Sequence, residues 1–159
     1  MTAISHTASN LSSRASGKAV LSLDDYRQSH SILVNWRRRK EDELAALERS
    51  CMEDSCDFNE LSALRAKGFI AALPFDIEAP SLSVEENGNV LVEWYRKPSG
   101  GKPTIFSVVL GKENYIFSLF LEGVADVHGA LSYTDGSLEM IRDKIKKHFG
   151  IVSYARSKA

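Results

Sequence analysis

Over residues 80–95 the sequence falls into a two-residue period, and no other segment constrains the fold so strongly. Leu82 and Val84 alternate with Ser81, Ser83 and Glu85. After Glu86-Asn87-Gly88-Asn89, the residues Val90, Val92 and Trp94 alternate with Leu91, Glu93 and Tyr95. Successive side chains on a strand point to opposite faces, so the pattern predicts a β-hairpin with one apolar face. The pattern also selects the loop. A two-residue turn at Asn87-Gly88 would set Val84 opposite Leu91 and Leu82 opposite Glu93, mixing the faces. A three-residue loop, Glu86-Asn87-Gly88 with Gly88 left-handed, pairs Val84 with Val90 and Leu82 with Val92 and keeps Trp94 on their side. The other face then carries Ser81, Ser83, Glu85 and Glu93, joined by Leu91 and Tyr95.

Further strands are expected downstream. Residues 96–103 read as a turn or short loop, rich in Pro, Gly and Lys. Residues 104–110 and 115–122 read as a third and a fourth strand, joined by Gly111-Lys112-Glu113-Asn114. Both are apolar at nearly every position, which predicts a sheet covered on more than one side or one side that meets a partner. Residues 124–128 are a candidate short edge strand. Leu138, Ile141, Ile145 and Phe149 then form a helical stripe, with Asp135 as the expected cap and Gly150 as the stop.

Upstream of the hairpin the period is helical. Ser22-Leu23-Asp24-Asp25 offers a serine cap followed by acids in the first turn, where the helix dipole favours negative charge. A helix to about Ser50 follows, with Leu33, Trp36, Leu44 and Leu47 near helical spacing; a break before Asn35 would divide it in two. Asp57-Phe58-Asn59-Glu60 has the spacing of a capping box, with Asp as the cap. A second helix is expected from there to about Leu73, with Leu61, Leu64 and Ala71 inward and Pro74 ending it. The resulting fold class is α+β: N-terminal helices, a four-stranded antiparallel sheet with a candidate fifth edge strand, and a C-terminal helix packed on the sheet.

The length of 159 residues suits one domain, here residues 21–150, between a disordered tail (1–20) and a flexible C-terminus (151–159). A net charge of −1 argues against a chain built mainly to hold nucleic acid, where affinity comes largely from phosphate neutralisation. Two cysteines are too few for a disulfide-stapled extracellular domain, and four histidines scattered along the chain give no zinc spacing. No apolar run is long enough to cross a membrane. The expected setting is cytoplasmic, with no metal and no cofactor.

Few residues offer chemistry. Asp126-Val127-His128 would place a carboxylate and an imidazole on one side of a strand, with no nucleophile in view beside them. Cys51 and Cys56 could act as a redox pair, but Glu53 and Asp54 disfavour a thiolate. Ser99-Gly100-Gly101-Lys102 lacks phosphate-loop spacing. Two basic clusters remain, Trp36-Arg37-Arg38-Arg39-Lys40 and Lys144 to His148. In the first, arginines could contact phosphate while the indole stacks on a base; in both, the plainer explanation is a solvated helix face.

Residues 66–129 resemble a scattered group of small, uncharacterised bacterial proteins. The resemblance rests on Phe69-Ile70-Ala71-Ala72-Leu73-Pro74, on Pro80, and on Glu86-Asn87-Gly88-Asn89-Val90-Leu91-Val92-Glu93-Trp94. Those proteins often carry Trp-Asp-Gly before the helix, which residues 54–59 lack here. The resemblance implies no catalytic residues; it implies a bacterial origin and accessory genes of defence or toxin–antitoxin type. The expected function is therefore non-catalytic: an antitoxin-like or inhibitory accessory subunit that binds another protein, or a second copy of the chain, through Leu91, Tyr95, Trp36 and Arg37. The alternative is a nucleic-acid-binding regulator using Trp36, Arg37, Arg38, Arg39 and Lys40.

Overall fold

The computed structural model describes residues 23–151, without the side chains of residues 23–35 and 125. The expected tail, the Ser22 cap, the packing of Leu33 and the stretch beyond Ile151 lie outside that description. The chain runs α1 (Leu23–Glu53), α2 (Glu60–Ala72), β1 (Ser81–Val84), β2 (Val90–Arg96), β3 (Thr104–Leu110), β4 (Asn114–Leu121), β5 (Ala125–Ser132) and α3 (Asp135–Phe149). The strands form one antiparallel meander in sequence order, β1-β2-β3-β4-β5. The α+β class is as expected, and the candidate edge strand is a full fifth strand of eight residues.

Turn chemistry sets the hairpin register. Val84 faces Val90 and Leu82 faces Val92. The Gly88 amide donates to the Glu85 carbonyl at 2.9 Å, with Gly88 at φ 81°. This is the three-residue loop that the face pattern requires. The turn is also docked, because the Asn59 amide donates to the Gly88 carbonyl at 2.9 Å and Asn59 Nδ2 to Asn89 Oδ1 at 2.9 Å.

The helices correct three local expectations. α1 continues through Asn35 as one helix. The α2 cap is Asn59, whose Oδ1 accepts the Ser62 amide at 3.1 Å, so Glu60 is the first helical residue and Asp57 lies outside. Likewise Thr134 caps α3 and Asp135 is its first residue. The buried face of α2 also differs from expectation. Ser62, Ala66, Phe69 and Ile70 turn inward, while Leu61, Leu64 and Ala71 turn outward. Burying Phe69 and Ile70, with Leu73 one turn on, removes more apolar area from water than burying two leucines and an alanine. On α3 the stripe is as expected, with Ile141, Ile145 and Phe149 buried and Leu138 packed against the core.

The core lies between the helices and one face of the sheet. Trp94 is at its centre, 6.4 Å from Phe69 of α2, 6.1 Å from Phe106 of β3 and 6.4 Å from Phe149 of α3. Its indole nitrogen donates to the Glu78 carbonyl at 2.9 Å, which satisfies a polar atom that burial would otherwise leave costly. Trp36 and Leu44 of α1 join the same cluster. The buried faces of α1, α2 and α3 thus all meet one side of the sheet.

Candidate interaction surface

Strand pairing places three rows of side chains on the other side of the sheet. One row runs Ser83, Leu91, Val109, Ile116, Ala130; the next Ser81, Glu93, Ser107, Ser118, His128; the third Tyr95, Ile105, Phe120, Asp126. Two apolar rows therefore flank a polar one. Tyr95 is 58% exposed, Ile116 46% and Phe120 39%, while Leu91, Ile105 and Val109 are half-buried among their neighbours. Leu91 and Tyr95 lie where the alternation predicted, and Val109, Ile116, Ile105 and Phe120 extend their rows. The near-continuous apolar character of β3 and β4 follows from this: one parity fills the core and the other faces outward.

Within the polar row Glu93 is the best-held charge. Ser107 Oγ donates to Glu93 Oε2 at 2.9 Å, and Ser81 Oγ donates to the Glu93 carbonyl at 3.2 Å. Outward-facing strand residues include the acids Glu93 and Asp126 and, among the described residues, no Lys or Arg. The face is therefore apolar with an acidic bias.

Asp126 and His128 do share this face, and the register sets Ser118 opposite His128. A serine, a histidine and an aspartate are thus neighbours, a relationship visible only once the strands are paired. They stand on an open sheet surface, Asp126 and His128 exposed, and among the described residues no hydrogen bond joins the three. Nucleophilic catalysis needs the base held against the nucleophile and oriented in turn, which this arrangement does not provide.

Trp36 and Arg37 lie in the helical layer, apart from Leu91 and Tyr95. Trp36 is 8% exposed and packs in the core, so its ring cannot serve as an open stacking platform for a base. Arg37 folds over the Phe75 ring, its guanidinium carbon 3.5 Å from the ring centroid. Arg38 and Arg39 point to solvent, and Lys40 is paired with Glu43 three residues on. The second basic cluster is divided as well: Lys146 pairs with Asp76 at 3.3 Å, and His148 has its pKa lowered, first by burial and then by Lys147, Lys144 and Arg96.

Cys51 is buried at the end of α1 and Cys56 is exposed just beyond it. The Cys56 amide donates to the Cys51 carbonyl at 3.0 Å. The Cys51 thiol is pushed up to about 11, first by its hydrogen bond with the Cys56 side chain and then by burial, so it is a poor nucleophile at neutral pH. Between α1 and α2 lies a groove of about 280 Å³ lined by Leu44, Leu64, Glu41, Glu48, Glu60 and Lys67, with Leu64 68% exposed on its wall. Among the described residues no cluster of His, Cys, Asp and Glu has the geometry to hold a metal ion, and no helix is long and apolar enough to cross a membrane.

Comparison with family models, with curated proteins and with solved structures finds no match to this chain.

Proposed function

We propose that this chain is a non-catalytic protein-interaction subunit, and that the outer face of its sheet is the contact surface. The observation that carries the reading is the pair of apolar rows, Leu91–Val109–Ile116 and Tyr95–Ile105–Phe120, either side of Glu93 on a face opposite the helical layer. A contiguous apolar patch with a polar element of that kind is the usual anatomy of a protein contact. Its acidic bias calls for a partner surface that is apolar at the centre and offers Lys or Arg to Glu93 and Asp126. A small subunit whose contact face is biased towards acids and covers a basic surface fits an antitoxin-like or inhibitory role. The resemblance of residues 66–129 to small bacterial proteins of accessory genes points the same way.

The test uses the full chain as bait in lysate of the native host, with mass spectrometry of what co-purifies, followed by reconstitution with the purified partner. Leu91→Ser combined with Tyr95→Ser is expected to weaken binding about tenfold or more while the melting temperature stays close to the parent. Glu93→Lys is expected to do the same and to reduce the salt dependence of binding. Undiminished binding of these variants to the same partner would overturn the assignment of this face.

A further inference from the structure

The helical layer holds three buried donors that find no acceptor among the described residues: Trp36 Nε1, Arg37 Nε and Arg142 Nε. They are not scattered. Trp36 and Arg37 are neighbours on α1, with the Arg37 guanidinium 6.0 Å from the indole centroid. Arg142 on α3 is close enough that its charge, after burial, helps to hold the Arg37 pKa below its ordinary value. One turn along α3 from Arg142, Lys146 takes up Asp76, which is next in sequence to the Phe75 ring under Arg37. Glu41 and Glu139, a turn from Arg37 and Arg142 on their own helices, make no ion pair with them.

Two half-buried guanidinium groups therefore lie within electrostatic reach of each other, and among the described residues no ion pair supplies a carboxylate to either. Like charges within such reach, with unfilled donors, are costly unless a counter-anion joins them. The fork of an arginine matches an oxyanion in two-point geometry, which a point charge would not. Charge decides which oxyanion. Lys146 and Asp76 neutralise each other, and among the described residues no ion pair offsets Arg37 or Arg142, which leaves two positive charges unpaired. A carboxylate or a phosphodiester balances only half of that, whereas a phosphate monoester near neutral pH carries roughly −1.5 to −2.

We propose that Arg37 and Arg142, beside the Trp36 indole N–H, form a binding site for a phosphate monoester group. The site sits in the helical layer, away from the outer face of the sheet, and its ligand is independent of any partner bound there. The Phe75 ring holds the Arg37 guanidinium flat, which leaves its edge N–H groups to the anion.

Two tryptophans make the test clean, because Trp94 Nε1 is already bonded to the Glu78 carbonyl. Nitrogen-15-labelled full-length protein is titrated with inorganic phosphate at constant ionic strength, with acetate and chloride as controls. The expected result is a saturable shift of the Trp36 indole and the arginine Nε signals with phosphate, while the Trp94 indole stays still. Arg142→Gln and Arg37→Gln should each weaken the response about tenfold or more, with an unmoved Trp94 signal reporting an intact core. If one variant does not fold, the other carries the test. No saturable shift, an equal response to acetate, or an unchanged response in both variants would overturn the site. An oligonucleotide without terminal phosphate that moves the same signals at equal phosphate concentration would overturn the monoester assignment in favour of a nucleic-acid backbone. Neither result bears on the Leu91 and Tyr95 face.

Discussion

The hydroxyl of Ser62 accepts the backbone amide of Val90 at 2.8 Å and donates to the carbonyl of Leu110. The register of β2 and β3, in which Leu91 faces Val109, brings Val90 and Leu110 opposite each other at the next step. There a side chain from α2 stands in for the direct ladder bond, so one hydroxyl joins a helix to two strands. Ser62 is fully buried, and its removal leaves an amide and a carbonyl without partners. Ser62→Ala is expected to cost about 2–3 kcal/mol. Urea unfolding followed by fluorescence measures it; a loss under about 0.5 kcal/mol would mean that water fills the gap.

Gly88 makes the second junction. At φ 81° it occupies a conformation that strains any L side chain, and an added Cβ would lie 3.1 Å from the Asn59 nitrogen and from the Asp57 carbonyl carbon and oxygen. Gly88→Ala should therefore lose about 1–2 kcal/mol from the backbone alone, and more from pushing the α2 cap off the turn. Gly100 has a similar φ of 69° but open space around it, so Gly100→Ala isolates the backbone contribution. Thermal melts of the two variants should rank Gly88→Ala clearly below Gly100→Ala.

The sheet was legible because strand patterning is local and binary. Val84, Val90, Val92 and Trp94 can share a face in only one register, and that register stands. The α2 face was not legible, because Leu61 and Leu64 present as good an apolar count as Phe69 and Ile70, and the choice depends on what the sheet offers. Nor could the cap be fixed, since Asp57 and Asn59 both suit the role and the docked hairpin turn decides between them. Leu91 and Tyr95 were found by alternation alone; Ile116 and Phe120 were hidden in a run where nearly every residue is apolar. The Arg37–Arg142 juxtaposition joins residues more than a hundred positions apart and leaves no sequence signal.

Trp94 and Tyr95 are adjacent in sequence and opposite in fate. Trp94 touches Phe69, Phe106 and Phe149, whereas the Tyr95 ring is mostly in water. Trp94→Ala should cost about 3–5 kcal/mol or abolish folding, because the cavity it leaves is framed by three separate elements. Tyr95→Ala should stay within about 1 kcal/mol of the parent. Equal losses from the two would place Tyr95 in a packed environment and remove it from the contact surface.

The two thiols should differ in reactivity. Cys56 is exposed, while Cys51 is buried and its thiol is raised to about 11, chiefly by the hydrogen bond with Cys56. Because the thiolate is the reactive form, timed alkylation at mildly alkaline pH should modify Cys56 first and Cys51 slowly, as read by peptide mass spectrometry. A folded pKa above the ordinary thiol value of 9.0 means that the folded chain keeps this proton more tightly than the unfolded chain does. The associated stability is fully present below pH 9.0 and is lost as pH rises towards about 11. Replacing Cys56 with Ala removes the leading cause, so Cys51 in that variant should titrate at lower pH, followed by thiolate ultraviolet absorbance. An unchanged Cys51 titration in Cys56→Ala would show that burial alone sets its pKa.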